Sequence, residues 1–461
     1  MKRFNWMIVF GMMILPGVVH ADFSFYWRDQ NALHYEYRHL IGLDLNNSSA
    51  SDSVGNSRAY STFRLRMKPS MSITDRLLIH SLFDAYVSPN NTVSQEEGAQ
   101  AGGQATDTNN YGPSLGSLPR SIFGGSNGYG TSAFTAGDSN FIIKSLFMEY
   151  IGDWGILKLG RIPRHWGLGI RYNEGLNPND KFTDRTDTAM YELGLGNIKL
   201  AVLLSKVLES NLNRQSDDMT LYETYLHYNQ PEKDMDVGAM YTFMRQSVNF
   251  VKLSIIDLYA KKKYKKIRAG VELVTSLGSP GSLKGSQAAQ LGLATELAYD
   301  WTPSISTFLN LGYASQADID RGGRLQLFAF DRNYDIAFLM FNQPMGSIST
   351  YTGISASSDP DTNALFGAYY LNLAGAYHFN DRIGTKLGFT TAQSPLPLVA
   401  GGGKFYGQEL DATLWYHFVE NWNLGVDAGV FMPGNLYEGD PTNKAKIDPA
   451  YGVQAYTTIS F

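Results

Sequence analysis

The last twelve residues, "AYGVQAYTTISF" (450–461), decide the fold. Tyr451, Val453, Ala455, Thr457, Ile459 and Phe461 fall on one parity; Gln454, Tyr456, Thr458 and Ser460 fall on the other. A period of two with one apolar and one polar face is a β-strand between two different environments. This strand runs to the final residue and closes on Phe461, so the aromatic end belongs to the strand and not to a tail.

The other end explains where such a strand would be used. "MKRFNWMIVFGMMILPGVVHA" (1–21) opens with Lys2 and Arg3, continues as an apolar run, and places Val19 and Ala21 at −3 and −1 of a small-residue cleavage site. These features predict a secretory signal peptide over 1–21 and a mature chain of 22–461. A terminal strand ending in phenylalanine, on an exported chain, resembles the signature that the barrel-assembly machinery of Gram-negative outer membranes reads, with Phe461 as the insertion signal.

Composition narrows the class further. There is no cysteine, which excludes a disulfide framework and a thiolate metal site. A formal charge of −5 argues against a nucleic-acid partner. No segment after the leader is apolar for the ~18 residues a membrane helix needs. Tyr 28, Phe 25 and Gly 46, at a hydrophobic content of only 43%, fit a transmembrane β-barrel, in which only alternate strand residues face lipid.

Reading backwards from the C-terminus repeats the pattern. In "FYGQELDATLWYHF" (405–418), Tyr406, Leu410, Ala412, Leu414, Tyr416 and Phe418 oppose Glu409, Asp411, Thr413 and His417. In "STFRLRMKPSM" (61–71), Phe63, Leu65 and Met67 oppose Arg64, Arg66 and Lys68. About eighteen such stretches run from 32–45 to 450–461, within ~2–4 residues at each boundary. Every second link is short ("TDR", "GDWG", "GLGN", "NQPEKD", "KKKYK", "TPS", "ND", "VENW"). The intervening links are longer, and three are very long: 89–138, 164–185 and 317–362. That alternation predicts an all-β, antiparallel transmembrane barrel with short periplasmic turns and long extracellular loops. Eighteen strands leave an aqueous lumen, and the ten residues 22–31 are too few for a plug domain.

The fifth strand leads into "RIPRHWGLGIRYNEG" (161–175). No helix-period segment follows, so a phosphate-binding glycine loop is disfavoured. The reading places Trp166 in the outer aromatic girdle and the residues after it in the third extracellular loop. Arg164, Arg171, Glu174, Asp180, Lys181, Asp184 and Arg185 are then either solvated ion pairs or the lining of a loop folded into the lumen. In the longest loop, "IAFLMF" (336–341) would cap the pore, insert into it, or form a helix or hairpin. Asp318, Asp320, Asp331 and Asp335 fit no complete calcium loop, so no metal site and no cofactor is expected.

"GQELDATLWYHFVENWNLGVDAGVFMPG" (407–434) resembles the C-terminal hairpin of alginate-export-type outer-membrane porins, through Gly407, Glu409, Leu410, Asp411, Asn421, Leu424, Gly429, Phe431, Pro433 and Gly434. The resemblance implies an eighteen-stranded barrel passing hydrophilic solutes passively. A polyanion exporter should line its bore with arginine. Here the inward faces are mixed: Arg38, Arg64, Arg66, Lys68, Arg268 and Lys386 against Glu36, Asp84, Glu223, Glu272, Glu296, Glu409, Asp411 and Asp427. The expected function is an outer-membrane channel for small polar solutes or saccharides. Its partners would be outer-membrane lipid, lipopolysaccharide and the assembly machinery. A barrel lipase or protease using His80, His165, His227 or His378 is the alternative, as is a sealed structural or adhesion barrel.

Overall fold

A computed structural model describes residues 24–27, 31–43, 57–87, 141–177, 180, 184–208, 219–246, 251–280, 287–316, 324–325, 328–331, 333–343, 365–397, 401–438 and 447–461. The expected leader (1–21), the loop at 89–138, and Lys181, Asp318 and Asp320 lie outside them.

Eighteen antiparallel strands close into one barrel. They are β1 (Ala32–Ile41), β2 (Ser57–Met67, continued by Pro69–Thr74), β3 (Leu77–Val87), β4 (Phe141–Ile151), β5 (Ile156–Pro163) and β6 (Arg185–Leu195). Next come β7 (Ile198–Leu208), β8 (Met219–Gln230), β9 (Met235–Gln246), β10 (Val251–Tyr264), β11 (Ile267–Pro280) and β12 (Gln287–Thr302). The last six are β13 (Ile305–Ala314), β14 (Tyr369–His378), β15 (Ile383–Gln393), β16 (Phe405–Val419), β17 (Trp422–Pro433) and β18 (Ala450–Ser460). Two short strands stand outside this count: Ser24–Trp27 pairs with Pro69–Thr74, and Arg324–Leu325 runs parallel to β12.

The ring closes between the two ends of the chain. β1 pairs with β18 from Ala32↔Ser460 to Ile41↔Tyr451. Beyond the last pair the Phe461 N–H donates to the Asn31 carbonyl at 2.9 Å, and Asn31 Nδ2 donates back to the Phe461 carbonyl at 3.1 Å. Closure leaves no unpaired edge, which a sheet in hydrocarbon cannot tolerate.

The two faces separate as the alternation requires, except at Tyr406, which the irregularity at Gly407 (φ +132°) turns inward to full burial. Leu410, Leu414, Val426, Val430, Tyr451 and Val453 are exposed on the outside, while Glu409, Gly429, Phe431 and Gln454 are buried inside. Each exposed apolar side chain that meets lipid avoids a cost of roughly 25 cal/mol per Å² of apolar surface held in water. The described helices are too short to cross a membrane.

Two expected boundaries move. The first strand stops at Ile41 and not at 45, because Gly42 adopts φ +80° and a Cβ there would meet the Pro449 carbonyl at 2.9 Å. The fourteenth begins at Tyr369 and not at 363. The preceding residues are drawn into the lumen, where Leu365 accepts the Phe330 N–H and Phe366 bridges Ala329.

Candidate functional site: a lumen narrowed by two loops

The third loop turns inward directly after β5. Arg164 reaches Glu223 on β8 at 2.5 Å, and the Tyr172 hydroxyl donates to the other Glu223 oxygen at 2.8 Å. The Tyr172 ring lies between two guanidinium groups, 4.1 Å from that of Arg164 and 4.4 Å from that of Arg171. Arg171 also donates to Thr242 on β9.

The glycines of "WGLG" make the next contact possible. Gly167 and Gly169 have φ of +56° and +88°, and a Cβ on Gly167 would lie 2.5 Å from Glu272 Oε2. With only hydrogen there, the backbone closes on β11. The N–H groups of Leu168, Gly169 and Ile170 all point at that one oxygen, at 2.5, 3.0 and 3.4 Å. Such a nest of donors suits an anionic acceptor. Trp166 does not sit in the outer girdle. It is buried in the lumen against Tyr225 and Tyr259, because the chain turns inward before it reaches the membrane interface.

The longest loop is docked by the same device on β16, five strands further round the barrel. Glu409 on β16 accepts the N–H groups of Leu339 and Met340, both at 2.6 Å, and Asp411 accepts that of Phe338 at 3.4 Å. Asn372 and Thr390 both donate to the Ile336 carbonyl. The apolar run 336–341 therefore inserts, packing with Phe328, Phe330, Tyr406 and Phe431 into a core inside the barrel. The two loops touch where the Asp331 N–H meets the Ile170 carbonyl at 2.8 Å.

Charge is sorted across what remains. Arg38, Arg64, Arg66, Lys68, Lys144 and Arg185 form a basic group on the inner faces of β1, β2, β4 and β6, within one arc of the wall. Arg66 holds Asp84 through two bonds of 2.8 and 2.9 Å and also donates to the Gly175 carbonyl. Arg64 donates to the Asp180 carbonyl, and Arg38 pairs with Glu36 at 3.1 Å. Facing them, the loops present Glu174, Asp180 and Asp335. Enclosure within the lumen raises all three carboxyls. For Asp335 the charge of Asp180 adds to that enclosure and lifts the group to about 8, while exposure to channel water works the other way.

The fold is that of an outer-membrane porin. Solved structures of this fold include Pseudomonas aeruginosa OccK11 (OpdR), at 12% identity and a TM-score of 0.50, with 95% of each chain covered. P. aeruginosa OccK2 (OpdF) has 10% identity and a TM-score of 0.52 over 95% of this chain and 98% of that one. It has also been solved in complex with glucuronate. A BenF-like porin from Pseudomonas fluorescens Pf-5 has 9% identity and a TM-score of 0.50, covering 94% and 98%. No protein-family model and no curated protein matches the sequence.

Within this porin barrel the expected lining residues separate into three groups. Arg38, Arg64, Arg66 and Lys68 stand with the basic wall. Glu272 and Glu409 are fully buried under the loops they dock, so their carboxyl oxygens are taken up by backbone donors. Arg268, Glu296, Lys386, Asp411 and Asp427 lie on inner faces further round or lower in the bore. Arg268 pairs with Asp300 at 3.0 Å, and the Lys386 ammonium lies 5.4 Å from the Phe308 ring centre. Of the third-loop residues, Asp184 accepts the Asn173 N–H, and Arg185 already belongs to β6. Lys144 was missed by sequence reading, because it shares the parity of the outward-facing Leu146 and Tyr150; a bulge opposite Leu82 and Phe83 turns it inward.

The arrangement closest to a hydrolase triad is Ser70–His80–Glu149. Ser70 Oγ lies 3.1 Å from His80 Nδ1, and His80 Nε2 lies 3.9 Å from Glu149. Ser70 is only 1% exposed, so a substrate carbonyl cannot reach its hydroxyl. His227 is bonded to Asp236 at 2.6 Å, and His378 packs on Trp415.

Proposed function

We propose that this chain is a passive outer-membrane channel for small polar solutes, with a charged eyelet formed by the two inward loops against the basic wall. The observation that carries the reading is the paired docking of those loops. Glu272 and Glu409 each accept consecutive backbone N–H groups, which fixes irregular loops inside a bore that eighteen strands would otherwise leave wide. A fixed narrowing brings solute within reach of wall charges, whose fields extend only about 8 Å at physiological salt.

Charges of both signs across the eyelet favour solutes with separated charge or a carboxylate beside hydroxyl groups. The glucuronate complex of OccK2 is in keeping with that class. Alginate fits less well: a long polyanion would have to pass the carboxylates of Glu174 and Asp180, which repel it. Planar-bilayer recording tests the proposal. Small, discrete single-channel steps support it. An inserted, folded barrel with no conductance would assign the lumen's apolar packing to the sealed structural reading.

A further inference from the structure

Of the short turns at the periplasmic end of the barrel, one differs from the rest in charge. The turn between β10 and β11 lies within "KKKYKK" (261–266), where every residue but Tyr264 is a lysine. The other short turns are 75–76, 152–155, 196–197, 231–234, 303–304, 379–382 and 420–421. None of these has more than one basic residue, and each basic residue shares its turn with an acid.

The lysines divide between the two faces of the wall. Lys261 and Lys263 share the parity of the buried Tyr259 and belong to the bore side. Lys262 shares the parity of the exposed Ile256, Leu258 and Tyr264, so it stands on the lipid side. Its row across the sheet is apolar, with Met235 on β9, Ala269 on β11 and Leu297 on β12. The next row toward the periplasm is Tyr264, Ile267 and Tyr299. Trp301 follows, exposed and edge-on to Tyr299 at 4.6 Å, with its Nε1 donating to Thr307 at 3.1 Å. An outward aromatic row of this kind marks the level of the lipid headgroups. Lys262 therefore stands on the hydrocarbon side of that level, and Lys265 and Lys266 stand beyond it.

These cations are not matched by the protein. The Lys265 ammonium lies 5.3 Å from the Tyr264 ring centre, and Lys266 donates to the Trp301 carbonyl at 2.7 Å. Asp300 on β12 is taken by Arg268 at 3.0 Å. Among the described residues, none of Lys262, Lys265 and Lys266 forms an ion pair with a carboxylate.

We propose that Lys262 and Lys265, with the Tyr264–Tyr299–Trp301 row, form a binding site for the phosphate headgroup of an anionic phospholipid in the periplasmic leaflet. A lysine on a lipid-facing row lays its methylenes along apolar neighbours and extends its ammonium to the headgroup level. A phosphate at that level supplies the negative charge that the wall lacks, and clustered lysines beside a bilayer attract anionic lipid. The position of Lys262 decides between a lipid and a soluble acidic protein. A soluble partner could reach Lys265, but the aromatic row stands between it and Lys262. A phospholipid meets both, because its acyl chains cover the Met235–Ala269–Leu297 row while its phosphate sits among the ammonium groups.

Native mass spectrometry of the folded barrel in detergent micelles tests the site. Dioleoylphosphatidylglycerol is the probe, and dioleoylphosphatidylcholine is its zwitterionic counterpart. The unaltered barrel should hold phosphatidylglycerol at least tenfold more tightly than phosphatidylcholine. Lys262→Gln with Lys265→Gln should erase that preference, and Lys262→Arg with Lys265→Arg should keep it. Lys252→Gln with Lys404→Gln removes the same number of charges elsewhere and should leave it unchanged. Heat-modifiable migration in gels verifies that each variant is folded. Equal binding of the two lipids, or a preference that survives the glutamine pair, overturns the proposal. So does displacement of phosphatidylglycerol by a hexaglutamate peptide, which would give the lysines to an acidic protein. The measurement does not involve conduction, so its failure leaves the channel reading in place.

Discussion

Glu409 and Leu339 are seventy residues apart in the chain, and the carboxylate of one accepts the N–H of the other at 2.6 Å inside the barrel. With the Met340 bond, this is the main polar anchor of the longest loop. Hydrogen bonds to a charged group contribute about 1.5–3 kcal/mol each. Glu409→Leu should therefore undock the loop, raise single-channel conductance and add fluctuations between levels. An unaltered, quiet conductance would show that apolar packing alone holds the loop.

The eyelet should be pH-sensitive, with a defined sign. Asp335 is raised to about 8, so it passes from mostly charged to mostly neutral as pH falls through that value. As pH falls from 9 to 6 the loop side loses negative charge while Arg38 and Arg64 keep theirs. Reversal potentials in a salt gradient should then move toward anion selectivity, and Asp335→Asn should remove most of the change. A shift toward cations on acidification would contradict the arrangement.

Neutralising the opposite wall should act in the other direction. Arg38→Gln with Arg64→Gln should move selectivity toward cations at pH 7. Glu409→Gln should alter gating more than selectivity, because its carboxyl is buried against the Leu339 and Met340 backbone. Selectivity changes of equal size for both sets would mean that the loop does not shield Glu409.

The lipid face can be checked by stability. Leu414 is half exposed on the outside of β16, and its neighbour Thr413 points inward. Arginine at 414 should cost about 2–4 kcal/mol if that position lies near the bilayer midplane. Arginine at 413 should cost much less. Urea unfolding in liposomes measures both, and similar losses would require a one-residue slip in register.

Orientation is open to labelling. A cysteine replacing Lys404, between β15 and β16, should react with an impermeant thiol reagent on intact cells. One replacing Asp153, in the turn between β4 and β5, should react only after the outer membrane is permeabilised. The reverse pattern would invert the barrel.

The sequence by itself determined the barrel. Strand number, antiparallel order, short turns at one end and the parity of Leu410, Leu414, Glu409 and Asp411 all follow from local periodicity. Each strand carries its own record of which face meets lipid and which meets the lumen. Even the last strand announced itself, because alternation continues to Ile459 and Phe461.

What fills the lumen was decided only by the tertiary structure. Nothing near Trp166 in the chain shows that it packs on Tyr225 and Tyr259 and not in the outer girdle, because its partners come from β8 and β10, three and five strands further round the wall. Glu272 and Glu409 read as pore charges by parity, and they became anchors when distant loop backbones supplied them with N–H donors. Alternation fixes which way a side chain points, while its role depends on what folds back against it.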